Sequence, residues 1–126
     1  RKMYNKKIEK ALGRKSPYID LLGNAIYENH IISNYQAEEN IVEFNETLGD
    51  TEKDQWWFGN YHASFLPLHG VARYSIIVGV YNKDTEEEYF YTALRYRWLK
   101  SFLNKQPLKK EEALLPIYKL EDIVQH

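Results

Sequence analysis

The side chains that could do chemistry are few, and their spacing works against it. His62 and His69 stand seven positions apart with Pro67 between them. An odd separation on a strand sends side chains to opposite faces, so the pair does not converge on a metal. Asp50, Glu52 and Asp54 have the 1-3-5 spacing of a calcium loop. The glycine such a loop needs at its sixth position is Gln55, and the twelfth position is Tyr61 in place of a bidentate Glu. Asp84 and Glu86–Glu88 read as a solvated turn, because a paired acid–base site needs one carboxyl buried. Asn45-Glu46-Thr47 is a glycosylation sequon, a triplet that also arises by chance. Phosphate-cradling glycine loops, nucleophile elbows and His-Glu-x-x-His are absent, and without cysteine there is no thiol chemistry or disulfide. The expectation is a chain that is not an enzyme and holds no cofactor or metal.

The elements that would position these residues centre on Trp56–Asn82. Trp57, Tyr61, Ala63 and Phe65 share one parity; after Pro67–Gly70, so do Ala72, Tyr74, Ile76, Val78 and Val80. Alternation rich in aromatic and β-branched residues predicts half-buried strands, and the Pro-Leu-His-Gly break predicts a hairpin between them. Trp56 and Trp57 are neighbours, so one is expected in the core. The other falls on the second face, under a helix or exposed as an anchor for a partner.

Upstream, Tyr4, Ile8, Ala11 and Leu12 recur at helical spacing and predict a helix over Met3–Leu12. Ser16-Pro17 reads as an N-cap and first turn, with Gly23 as the stop of a short second helix. Weak strands follow in Ala25–Tyr35 and Ile41–Leu48, then a charged loop at Gly49–Gln55. Tyr89–Lys100 satisfies two patterns. As a helix it places Phe90, Leu94, Trp98 and Phe102 at i+4 spacing; as a strand it answers the Asn82-Lys83-Asp84 turn. Strand through about residue 100, with a helical turn over Ser101–Leu103, is the expectation. Gln106–Glu112 reads as a polar loop, and Leu114–Leu120 as a terminal edge strand.

The net charge of −1 conceals an asymmetry. Residues 1–15 hold seven cations against Glu9, while the rest of the chain is acidic. Such a run suits an anionic lipid surface better than nucleic acid, for which the sheet would need interleaved basic residues.

The stretch YNKKIEKALGRKSPYIDLLGNAI, with Leu22-Gly23-Asn24-Ala25-Ile26 inside it, resembles the opening of the cytochrome c oxidase assembly factor family. Tyr89–Lys100 and Leu115-Pro116-Ile117-Tyr118-Lys119-Leu120 resemble its end, over about residues 4–120 in all. Glu38–Gln55 and Ser101–Ala113 are longer than the pattern. The resemblance implies a fold similar to the small regulatory subunit of the mitochondrial presequence translocase. It also implies an inner-membrane anchor upstream of residue 1, a soluble domain in the intermembrane space, and a non-catalytic role in respiratory-complex assembly or tethering.

The expectation is therefore one α+β domain over residues 1–126, with N-terminal helices packed on an antiparallel, strongly twisted β-sheet. Residues 1–15 would be a juxtamembrane-type helix. Trp56, Phe58 and Tyr89 are the candidate anchors for protein partners, such as membrane-complex subunits. Lys6, Lys7, Lys10 and Arg14 are the candidates for an acidic lipid or partner surface. One rival is a cone-shaped α+β domain, hydrolase- or isomerase-like, using His62, Tyr61 or Asp54 in an apolar pocket. Another is a soluble inhibitor or immunity protein that blocks a partner.

Overall fold

The apolar run Ile76–Asn82 is the strand on which the other elements converge. The computed structural model describes residues 10–34, 39–59 and 66–114. Among these, eight strands form two antiparallel sheets. β1 (Lys15–Ile19) and β2 (Ala25–Tyr27) make a two-stranded ribbon. β3 (His30–Ser33), β4 (Asn40–Phe44), β5 (Trp56–Gly59), β6 (Leu66–Pro67), β7 (Ile76–Asn82) and β8 (Glu87–Phe90) build the main sheet. Its order is β6-β5-β4-β3-β7-β8. Helices α1 (Thr92–Leu103) and α2 (Lys110–Leu114) follow the last strand.

The architecture is thus mainly β, and the expected α+β layer of N-terminal helices on a sheet is not what forms. Ser16 and Pro17, read as the start of a second helix, lie in β1. A proline lacks the amide a ladder needs, and an irregular register tolerates the loss. Lys15 pairs with Tyr27 and Ile19 with Ala25, so β1 spends two more residues than its partner. Asp20 then closes the turn that a helix would have needed open. Its Oδ1 accepts the amides of Leu22 and Asn24 at 2.9 and 2.8 Å. Gly23, at φ +85°, supplies left-handed backbone in that turn and not at a helix end. Lys10 and Ala11 are helical, while the rest of the expected Met3–Leu12 helix up to Glu9 lies outside the described residues.

Two further expectations are corrected. The alternation around Pro67–Gly70 does not fold as one hairpin, because β4 and β3 lie between β5 and β7. Leu68–Gly70 and Ala72–Tyr74 are 3-10 turns instead, and they bury Leu68 and Ala72 in the core. Period-two patterning marks a strand without naming its partner. At the other end, strand structure stops at Phe90 and α1 takes over. Where β3 meets β7, Ile31 faces Gly79 and Ile32 faces Ile77, so Val78 is an extra residue. The Val78 carbonyl accepts the Tyr91 amide at 2.8 Å and turns the chain from β8 into α1. Leu94 and Trp98, one turn apart, then bury completely against the sheet. The loop expected over Gln106–Glu112 includes the start of α2. Of the expected last strand, Leu114 is helical and residues 115–120 lie outside the described residues.

Every residue of β7 from Ile76 to Tyr81 is buried, so this strand is covered on both faces. Across β4 and β5 the register sets Val42 beside Phe58 and Phe44 beside Trp56. Val42, Phe58 and Trp56 join Ile26 of the ribbon and Leu68 in the core. The ribbon is tied on by polar contacts: Leu21 N–H to the Ser75 carbonyl at 2.9 Å, and Ile77 N–H to Asp20 Oδ2 at 3.3 Å. Close backbone approach fixes Gly79, where a Cβ would sit 2.3 Å from the Tyr89 carbonyl oxygen.

Candidate functional site

Trp56 and Phe58 are fully buried, so neither presents a surface to a partner. The neighbour on the other face, Trp57, is half-buried, and its indole N–H donates to the Asp54 carbonyl at 3.1 Å. Tyr89 is half-buried on β8, opposite Val80. Lys6 and Lys7 lie outside the described residues, while Lys10 and Arg14 are exposed. The Arg14 guanidinium lies 4.1 Å from the centre of the Phe44 ring, a cation–π contact within the chain. Tyr61 and His62 are also outside the described residues. Asp54 is exposed and accepts the Thr51 hydroxyl at 3.0 Å.

Among the described residues, His30 and Asp20 are a buried imidazole and a buried carboxyl group, and the fold itself employs both. His30 is 3% exposed, and its Nδ1 accepts the Tyr27 amide at 2.8 Å across the β2–β3 turn. Burial pushes its pKa down to about 3, so the ring is neutral at ordinary pH. Beside it, Asn29 (φ 77°) makes three links from one residue. Its amide donates to the Val42 carbonyl, its carbonyl accepts the Tyr81 amide, and its Nδ2 donates to the Ala11 carbonyl. Asp20 is 2% exposed. Burial raises its pKa above the usual carboxylate value, outweighing the amides that it accepts. A carboxyl group that accepts three backbone amides and the Asn24 side-chain amide is a clamp between the ribbon and β7.

Both ends of the main sheet, among the described residues, resist strand addition. β6 has two residues and one is a proline; β8 carries Glu87 and Glu88, both exposed. Its turn is acidic at Asp84 and Glu86, with Asn82 Oδ1 accepting the amides of Asp84 and Thr85 at 3.0 and 3.3 Å. No group of three or more His, Cys, Asp or Glu among the described residues is placed to hold a metal.

The site that does gather complementary groups is the corner between α1 and α2. Lys105 adopts left-handed backbone at φ 54° just past α1, and its amide bonds the Phe102 carbonyl. The chain then doubles back: the Ser101 hydroxyl donates to the Gln106 carbonyl, and Gln106 N–H to the Ser101 carbonyl. Leu108 is buried and anchors the return. This leaves a cleft of about 290 Å³ with Arg97 and Lys100 on one side and Lys109 on the other. Asn104 and Gln106 add amides, and Glu112 is its one acidic residue. Arg97 and Lys100 are three apart and share a helix face. Leu103, one turn beyond Lys100, is 78% exposed, the most exposed of the large apolar residues in the described part of the chain.

The signal for this corner was present in the sequence. Arg97, Lys100, Lys105, Lys109 and Lys110 are five cations in fourteen residues with no acid among them. The run was masked by the stronger N-terminal one, and reading Tyr89–Lys100 as strand spread its cations over two faces. No family model, no curated protein and no solved structure matches this chain.

Proposed function

We propose that this chain is a non-catalytic binding domain that holds an acidic segment of a protein partner at the α1–α2 corner. The observation that carries the reading is the placement of Arg97, Lys100 and Lys109 around a polar cleft, next to exposed Leu103. A segment with carboxylates flanking an apolar side chain would meet charge in the cleft and aliphatic surface on the helix. Electrostatic complementarity of this kind chiefly sets on-rate and selectivity. The engagement of His30 and Asp20 by the chain's own amides supports a role without bond-making. Against nucleic acid stands the net charge of −1, which leaves an excess of acid outside the two cationic runs.

The resemblance to cytochrome c oxidase assembly factors implied a short helix at Ser16–Gly23, where β1 and the Asp20 turn stand instead. The proposal keeps partner binding from that resemblance and takes the surface from α1 and α2. The test is fluorescence anisotropy with a labelled peptide of alternating Asp and Leu. Lys100→Glu with Lys109→Glu should weaken binding at least tenfold, and raising salt from roughly 0.05 to 0.5 M should do the same. Unchanged affinity in the double variant would refute the assignment.

A further inference from the structure

We propose that the acidic segment held at the α1–α2 corner belongs to a second copy of this chain, and that it is the loop joining β4 to β5. This rests on the binding role above and names the partner. Glu46 and Asp50 stand on either side of Leu48 in that loop, and all three are exposed. Leu48 is 45% exposed and would lie against Leu103, 78% exposed on the other surface. Charge is complementary as well. Over residues 46–54, Glu46, Asp50, Glu52 and Asp54 stand against Lys53, a net of −3. Over residues 100–112, Lys100, Lys105, Lys109 and Lys110 stand against Glu111 and Glu112, a net of +2, and all six are exposed. Arg97 is engaged within its own chain and adds nothing to this count.

The loop is also held in shape before it binds. It is built from 3-10 turns at Glu46–Leu48 and Glu52–Gln55. Gln55 Nε2 donates to the carbonyls of Glu46 and Gly49 at 3.2 and 3.0 Å, and the Tyr18 hydroxyl donates to the Lys53 carbonyl at 3.0 Å. A loop braced in this way loses little freedom on association. In the contact, Glu46 and Asp50 meet Lys100 and Lys109 across the cleft, with the two leucines between them. The whole-chain charge of −1 leaves little repulsion between copies. Because the two surfaces differ, the contact is head-to-tail, adding copies until a ring closes or a chain runs on. One corner against one loop is at the small end of interface sizes, so the association depends on concentration and salt.

The test is sedimentation velocity of the whole chain at roughly 0.05 M salt and up to about 1 mM protein. The unmodified chain should form species larger than a dimer, and these should dissociate at about 0.5 M salt. Lys100→Gln/Lys109→Gln and Glu46→Gln/Asp50→Asn change exposed side chains and spare the core. Each double variant should weaken association by roughly three- to tenfold, the loss of two exposed ion pairs. An equimolar mixture of the two should restore association and stop at a dimer, because it holds one complementary pair of surfaces. An unmodified chain that stays monomeric yet binds the Asp-Leu peptide overturns the second-copy assignment and leaves the acidic-segment reading standing. A monomer that binds no peptide overturns both. Association that survives either double variant, or that mixing does not restore, lies elsewhere on the chain and overturns the proposal.

Discussion

Protonating His30 should cost this fold more than protonating any other of the described residues. The ring is buried and neutral, and its Nδ1 is the acceptor for the Tyr27 amide. A proton on Nδ1 turns that acceptor into a donor facing a donor. It also places a charge beside the turn that carries the three links of Asn29. The folded pKa of about 3 lies below the unfolded value of 6.5. The contribution is therefore fully present above pH 6.5 and is lost as pH falls from there toward 3. Linkage between those two values gives a loss on the order of 3 kcal/mol on going from pH 7.5 to pH 4.5. The control is His30→Asn, whose side-chain oxygen reaches the position of Nδ1 and cannot take a proton. Losing the ring should cost that variant roughly 2 kcal/mol at pH 7.5, a typical large-to-small core penalty. Its disadvantage should then shrink and vanish on acidification. Urea unfolding followed by tryptophan fluorescence across pH 4.5–7.5 measures both. Taking the difference between the two proteins cancels Asp20, which titrates with the opposite sign. Parallel curves, with a constant gap at every pH, would show that His30 is not the buried neutral group described.

Other outcomes follow from the same contacts. Asp20→Asn should destabilise by about 1–3 kcal/mol, because the new amide group meets the Ile77 N–H donor-to-donor. Since burial raises the Asp20 pKa, its contribution is fully present below the unfolded carboxylate value and is lost as pH rises through the folded one. The cost of Asp20→Asn should therefore be greater at low pH than at neutral pH in chemical denaturation. Gly79→Ala should cost about 2 kcal/mol or more in urea unfolding, because the Tyr89 carbonyl cannot yield to a Cβ 2.3 Å away without parting β7 from β8. Leu94→Ala should lose about 2–5 kcal/mol and loosen α1, read as faster amide exchange over residues 94–104 than in β3 and β4.

Local chemistry in the sequence carried several elements correctly. Asn82-Lys83-Asp84 does turn β7 into an antiparallel partner, with Asn82 paired to Glu87. The strand expected over Ala25–Tyr35 divides into β2 and β3, and β4 overlaps the one expected over Ile41–Leu48 but starts at Asn40 and ends at Phe44. What failed were choices that distant contacts decide. Ser16-Pro17 has the signature of a helix start, but Asp20 finds the Ile77 amide fifty-seven residues away, and that clamp belongs to a strand and turn. Tyr89–Lys100 suits helix and strand alike. The Val78 bulge, which no local pattern announces, ends β8 and releases α1. Trp56 and Phe58 were legible as sheet residues, but which of adjacent Trp56 and Trp57 enters the core depends on the β4–β5 register. The α1–α2 site needed a helix to place Arg97 and Lys100 on one face, so it stayed hidden while that segment was read as strand.

The most direct test of binding at the α1–α2 corner is an amide chemical-shift titration of the isotope-labelled chain with an acidic, leucine-bearing peptide. The account predicts that the largest shifts fall on residues 97–109, move together with one affinity, and disappear in Lys100→Glu/Lys109→Glu. Shifts centred instead on β5 or on the 83–88 turn, or persisting in that variant, would contradict it.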